Sequence, residues 1–276
     1  MRIFVAGATG VIGRQLLPLL VQAGHEVWGT TRRPERAEQV AAAGARPVVV
    51  DAYDAAALAD AVAAEAPDAI MHELTDLSAE DRAANTRLRI DGTRNLVDAA
   101  NAAGVETMVA QSIAWVYAPG DGPAVEDDPL DASASSFPGV HALEQAVAEM
   151  PRGVVLRNGM LYGPGTWYAP DGAMAERARA GELRATRSWS VFVHVDDAAS
   201  AALAALDWPA GTVNVVDDEP ATEREWMPAF CASVGAPAPA LDEDAPAVGR
   251  PVSNAKARRL GWEPRVASWR DGFRFG

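Results

Sequence analysis

The sequence predicts an α/β fold: a doubly wound parallel sheet of Rossmann type with a smaller C-terminal substrate-binding lobe. Three observations predict it. Short β-branched runs alternate with Ala/Leu-rich segments of helical length over the first two-thirds of the 276 residues. Those runs are apolar almost throughout, as strands buried on both faces are. The first of them feeds a glycine triplet that opens a helix.

The strands expected are RIFVA, HEVWGTT, RPVVVD, DAIMHEL, ETMVAQS and GVVLRNG. Between them lie GRQLLPLLVQAG, PERAEQVAAAG, AAALADAVAAEAP, TRNLVDAANAAG and HALEQAVAEMP, each closed by the Gly or Pro that stops a helix. Crossovers between parallel strands are right-handed, which places helices on both faces. Pro18 falls inside the first helix and predicts a local kink. After about residue 160 loops lengthen (LYGPGTWYAPDG) and strands become isolated (WSVFVHV, GTVNVVD), with GAPAPALDEDAPAVGRP as a Pro/Ala-rich connection. Residues 1–160 are therefore expected to form the dinucleotide-binding domain, with 190–216 returning to it, and 161–276 mainly the substrate lobe.

A net charge of −14, from 24 Lys+Arg against 38 Asp+Glu, argues against a nucleic-acid partner, because phosphate contacts need clustered cations. The single cysteine, Cys231, allows neither a disulfide framework nor a multi-cysteine metal site and suits a small packed residue. His72, His141 and His194 come from separate elements without ligand spacing, so no metal is expected. No run approaches the roughly 18 apolar residues of a membrane span, and no apolar leader precedes MRIFVAGATG. The expectation is a cytoplasmic protein without a membrane partner.

In Gly7-Ala8-Thr9-Gly10-Val11-Ile12-Gly13 the glycines permit a tight turn and close backbone approach to a pyrophosphate at a helix N-terminus. The second strand ends in Thr31, Arg32 and Arg33 where NAD binding wants a carboxylate. Two guanidinium groups suit a 2′-phosphate, which predicts NADP(H) in preference to NAD(H). Asp51, ending the third strand, either accepts from the adenine amino group or caps the helix beginning near Asp54.

With the motifs IDGTRNLVDAA, AQSIAWVYAPG, LRNGMLYGPG, VFVHVDDAASA and SNAKARRLGWEP added to the glycine loop, the whole chain resembles an extended short-chain dehydrogenase/reductase. That group includes nucleotide-sugar epimerases and dehydratases. The resemblance implies that Gly7, Thr9, Gly10, Val11 and Ile12 line the pyrophosphate and that Asp51 and Ala52 meet the adenine. It places Leu74 and Thr75 at the ribose, Gln111 under the nicotinamide, and Asn158 and Gly159 beside it through their backbone. LYGPG and VFVHVDD would line the substrate cleft, with Tyr162 and His194. Trp115, Trp167, Tyr162 and Tyr168 suggest an apolar or aromatic substrate. The helices over 86–103 and 141–150 would pair across a two-fold in a homodimer.

Catalysis in that family uses a Tyr acid/base and a Lys four residues later on one helix, aided by a Ser or Thr. Matching the family's following Glu to Glu144 puts the Tyr position at Ser136 and the Lys position at Val140; a four-residue shift puts them at Val140 and Glu144. Neither register supplies the dyad. The catalytic hydroxyl position falls on Ile113, and Ser112, one residue earlier, faces the other side of its strand. Candidate replacements are Tyr117, His141, on one helix face with Glu144, and Ser112, with His72 and Glu73 at the end of the fourth strand and His194 of VFVHVDD as further titratable groups. Three readings follow: an NAD(P)H-dependent oxidoreductase acting on a small or medium carbonyl or alcohol through a non-standard proton donor; a redox-neutral epimerase, dehydratase or isomerase retaining its cofactor; or a catalytically silent NADP(H)-binding regulatory protein.

Overall fold

The structure, a computed structural model, describes residues 1–76 and 82–274. Strands β1 (Arg2–Ala6), β2 (Glu26–Thr31), β3 (Arg46–Val49), β4 (Ala69–His72), β5 (Thr107–Ile113) and β6 (Arg152–Asn158) join Gly211–Val215 in a seven-stranded sheet. Its order is Gly211–Val215, β6, β5, β4, β1, β2, β3, and the pairs from β3 to β5 are parallel. The doubly wound sheet expected from the sequence is present. Helices α1 (Val11–Gln22) and α2 (Ala37–Ala42) follow β1 and β2, and α3 (Ala55–Glu65) follows β3. α4 (Arg82–Arg87), a π-helical turn (Leu88–Gly92) and α5 (Thr93–Ala102) precede β5, and α6 (Phe137–Ala148) precedes β6.

Period-two alternation divides the sheet's side chains between two helical layers. Phe4, Ala6, Trp28, Ile70, Met108 and Ala110 pack with Leu58 and Val62 of α3, Leu96 and Val97 of α5, and Leu143 and Val147 of α6. Residues of the opposite parity face α1 and α2. A side chain on Gly29 would meet Leu17 of α1 and Val40 of α2, and Gly29, Val5 and Met71 stand in register. α1 runs through Pro18 as a single helix.

The chain divides into two compact units. One holds Met1–Ser112, Ser133–Leu156 and Ala199–Thr212; the other holds Ile113–Ala132, Arg157–Ala198 and Val213–Gly276. Residues 113–132, read from sequence as part of the first region, group with the second unit, and the returning segment is 199–212. The second unit centres on Tyr162, Phe192, Trp226, Phe230, Trp269 and Phe273, all buried. Their rings meet mostly edge-to-face at centroid separations such as 5.2 Å for Phe192–Trp226 and 5.1 Å for Phe230–Phe273, the arrangement ring quadrupoles favour. Parallel pairing of Met160–Tyr162 with Phe192–His194 brings LYGPG and VFVHVDD together.

Trp28 is the largest side chain on the α3 layer of the sheet, 2% exposed, with the guanidinium carbons of Arg2 and Arg46 at 5.0 and 5.1 Å from its ring. Removing the indole leaves a void and two cations without an aromatic face. Trp28→Ala is expected to cost about 3–5 kcal/mol, measured by urea denaturation; a loss below about 1 kcal/mol would show that the site collapses or fills with water.

Candidate active site

Gly7 sits at φ +90°, and a Cβ there would stand 2.5 Å from the carbonyl oxygen of Glu73. A Cβ on Gly13 would collide with the carbonyl of Gly7. The loop is thus folded onto β4 and α1 at a distance only glycine permits. The Gly7 amide donates to Thr30 Oγ1 at 3.1 Å and the Gly10 amide to Gly7 O at 2.9 Å. α1 begins at Val11 with no side-chain cap and no acid in its first turn. Its first N–H groups and the positive end of its dipole are left for an anion. Thr9, Gly10 and Val11 are half-buried at its mouth. A glycine cradle and an uncapped helix start fit the diphosphate of a dinucleotide.

At the end of β2, Thr31 Oγ1 closes a turn onto the Arg33 amide at 3.1 Å, which leaves Arg32 and Arg33 exposed beyond it. Arg32 reaches Asp76 at 3.6 Å. Asp51 accepts from the Tyr53 amide at 3.0 Å, whereas the cap of α3 is Asp54, which accepts from Ala57 N at 3.0 Å. The capping alternative for Asp51 is therefore corrected: Asp54 stands three residues before the amide that needs an acceptor. The Ala52 carbonyl accepts from Asn95 Nδ2 at 2.9 Å.

Two titratable residues end β4 and face opposite layers. His72 is fully buried, with Nε2 2.7 Å from Thr93 Oγ1 and Nδ1 accepting from the Leu74 amide at 3.3 Å. Burial, helped by the charge of Arg89, lowers its pKa to about 4, so it is neutral near pH 7. Glu73 projects to the α1 layer, 3% exposed, with no hydrogen-bond partner on either carboxyl oxygen among the described residues. Burial alone pushes its pKa up to about 8. Gln111, after Ala110 on neighbouring β5, shares that layer. Leu74 is half-buried and Thr75 exposed.

On α6 the buried residues are Gly139, Val140, Leu143, Glu144, Ala146 and Val147. Ser112 Oγ donates to Glu144 Oε1 at 2.7 Å, both buried. The bond ties α6 to β5; along the helix Ser136 stands four residues before Val140, and Val140 four before Glu144. Val140 is fully buried, and Ser136, just before α6, is half-buried. Neither position carries a phenol or an amine. The Ser112 hydroxyl is engaged by Glu144. His141 is exposed and stacks on Phe137 at 5.1 Å. Three residues along α6, Glu144 is buried.

The second unit also settles several placements. Tyr117 is 4% exposed; its hydroxyl donates to Asn214 Oδ1 at 2.6 Å and accepts from Arg157 Nη1 at 2.8 Å, with the guanidinium carbon 4.9 Å from its ring centre. Burial raises its pKa despite Arg157. A phenol engaged on both sides joins segments of the second unit. Tyr162 is fully buried among Phe192, His194 and Phe273 and presents no surface to a substrate. His194 Nδ1 accepts from the Asp196 amide at 3.3 Å, and its side chain is 14% exposed. Trp115 and Trp167 are 40% and 42% exposed. The Asn158 carbonyl accepts from Ala114 N at 2.9 Å, and the Gly159 amide donates to Val215 O at 2.9 Å. Asp217, which sequence reading passed over, is 2% exposed, with burial raising its pKa to about 8.

A model of the NAD dependent epimerase/dehydratase family matches residues 3–216. The chain belongs to that family. It is an NAD(P)-dependent oxidoreductase of the short-chain dehydrogenase/reductase type. Among its relatives is a 3-diazoavenalumate denitrifying reductase from Streptomyces sp, 42% identical over 305 aligned residues that cover 99% of each chain. A 2-alkyl-3-oxoalkanoate reductase of Stenotrophomonas maltophilia strain K279a is 30% identical, covering 86% of this chain and 77% of that one. Among solved structures, the NAD complex of Thermus thermophilus UDP-glucose 4-epimerase superposes with a TM-score of 0.82 at 25% identity, covering 99% and 97% of the two chains.

Glu73 and Asp217 titrate near the ordinary carboxyl range when unfolded and near pH 8 when folded. Between those values the native state holds more protons, so stability falls as pH rises and the cost is complete above about pH 8. Glu73→Gln should match the parent's melting temperature near about pH 4 and exceed it increasingly toward about pH 8.5. An offset constant across that range would mean that Glu73 is ionised throughout.

Proposed function

We propose that this family member is an NADP(H)-dependent reductase that removes nitrogen from an arene-diazo compound. The observation that carries the reading is the make-up of α6: with Glu144, held by Ser112, matched to the family's acid, Ser136 and Val140 would occupy the positions of the proton donor and its lysine. A carbonyl becomes an alcohol only if a proton accompanies the hydride. An arenediazonium group already carries positive charge and accepts hydride unaided. The denitrifying reductase relative, 42% identical over nearly the whole of both chains, supports the same reading.

The bound reduced nicotinamide supplies the hydride, and the reaction balances as ArN2⁺ + NADPH → ArH + N2 + NADP⁺. The chain's own residues hold and orient the reactants. Gly7, Thr9, Gly10, Val11, Ile12 and Gly13 hold the diphosphate, and Asp51, Ala52, Leu74 and Thr75 border the adenosine. Arg32 and Arg33 meet a 2′-phosphate, with Asp76 steadying Arg32. Gln111, Asn158 and Gly159 border the nicotinamide. The exposed indoles of Trp115 and Trp167 offer stacking faces to a planar cation. Ser112 and Tyr117 hold the scaffold and carry no proton. Two-fold pairing through the helices over 86–103 and 141–150 and a cytoplasmic location complete the proposal.

Carbonyl reduction is the second reading, favoured by the 2-alkyl-3-oxoalkanoate reductase relative; with the dyad positions empty, it would need water as proton source. The two separate when the purified chain is given NADPH with either a phenolic arenediazonium salt or a panel of β-keto acids and aryl ketones. Release of N2 equimolar with NADPH oxidised, without ketone turnover, is expected. Ketone reduction without diazo turnover would replace the proposal by its rival. The paired change Arg32→Ala/Arg33→Ala should raise KM for NADPH about ten- to a hundredfold and leave KM for NADH nearly unchanged; equal effects on both would remove the case for NADP(H).

A further inference from the structure

Beyond the residues assigned above, the adenosine end of the first unit holds an aromatic group with no role so far. Tyr53 follows Asp51 and Ala52 on the loop leaving β3, beside the end of β2, where the Val50 amide donates to Thr31 O at 3.0 Å. Its backbone is held by Asp51, whose Oδ1 accepts the Tyr53 amide at 3.0 Å. Its ring is half-buried, and the guanidinium carbon of Arg87 lies 4.7 Å from the ring centre. Arg87 is itself held by Asp91, Nε to Oδ2 at 3.1 Å. Asp76, which pairs with Arg32, lies close enough to Tyr53 to act on its hydroxyl, as do Asp91 and Asp51. Arg32, Asp76 and Tyr53, on the loops that follow β2, β4 and β3, are thus grouped with Arg87 at the end of α4 and Asp91 of the π-helical turn.

A cation fixed on one face of a phenol ring pins the ring in place and draws its electron density toward that face. The opposite face is then a rigid, planar, electron-poor platform, which suits an electron-rich purine. The neighbouring cation Arg32 meets the requirement of a 2′-phosphate on the same nucleoside. We infer that Tyr53, backed by Arg87, is the stacking platform for the adenine of the bound dinucleotide. The inference rests on the NADP(H) reading above and adds to it a residue that contacts the base.

Three probes test it: NADPH, 2′,5′-ADP as the adenosine half alone, and reduced nicotinamide mononucleotide, which has no adenine. Affinities are measured by calorimetry, and by nicotinamide fluorescence where the probe has a nicotinamide. Tyr53→Ala should weaken 2′,5′-ADP and NADPH by about tenfold or more and leave the mononucleotide unchanged. Tyr53→Phe should retain affinity within about twofold, because the ring is what stacks. Arg87→Gln should fall between the parent and Tyr53→Ala, with melting curves confirming that each variant is folded. Tyr53→Ala binding 2′,5′-ADP as tightly as the parent would overturn the inference while leaving the cofactor reading intact. Equal losses for the mononucleotide and 2′,5′-ADP would also overturn it. A parent chain that binds neither NADPH nor 2′,5′-ADP would bring down the cofactor reading itself.

Discussion

The hydrogen bond from Ser112 to Glu144 is the constraint on which the functional argument depends. It joins β5 to α6 across 32 residues of sequence, between two buried groups. A buried carboxylate needs such a donor, and the buried Arg89 adds an opposite charge from the turn after α4. Gly139 lets α6 approach closely, since a Cβ there would press on Thr86 and Arg89 at 3.1 and 3.4 Å. With α6 locked in this way, a side chain's distance from Glu144 along the helix decides where it stands. Four and eight residues before Glu144, where the proposal sets the lysine and the tyrosine of family chemistry, the chain has a buried valine and a serine.

The anion-binding part of the molecule is built on different terms. Backbone amides and a helix terminus would hold the proposed diphosphate, an arrangement that needs no lysine and tolerates a net charge of −14. The nearest carboxyl, Glu73, is kept neutral by burial up to about pH 8, so it adds no negative charge beneath the loop. His72 on the opposite layer is neutral for the same reason. The residues ending β4 therefore present little charge under ordinary conditions.

Much of this was legible in the sequence because it is local. Strand and helix alternation, the GATGVIG loop and the absence of Tyr and Lys around α6 all follow from short spacings. The family resemblance then suggested which residues would meet a cofactor. What was not legible depends on long-range pairing. Tyr117 looked like a free phenol beyond a strand, but its partner Asn214 lies 97 residues away and Arg157 lies 40 away. His141 looked like a neighbour of Glu144, yet the packing of α6 leaves one outside and buries the other. Tyr162 looked like a cleft residue until the aromatic cluster closed around it. Glu73 stood out in sequence as the acid ending DAIMHEL, but its burial without a partner among the described residues did not.

The central claim is that hydride reaches the substrate without a proton donated by the protein. Single-turnover kinetics with an arenediazonium substrate test this most directly, comparing C4-deuterated with ordinary NADPH and D2O with H2O between about pH 5 and 7. The account predicts a rate slowed by deuterium on the cofactor, unaffected by D2O and flat with pH. A rate that falls along an acid or base limb and slows in D2O would contradict it, because a titrating donor would then take part in the step.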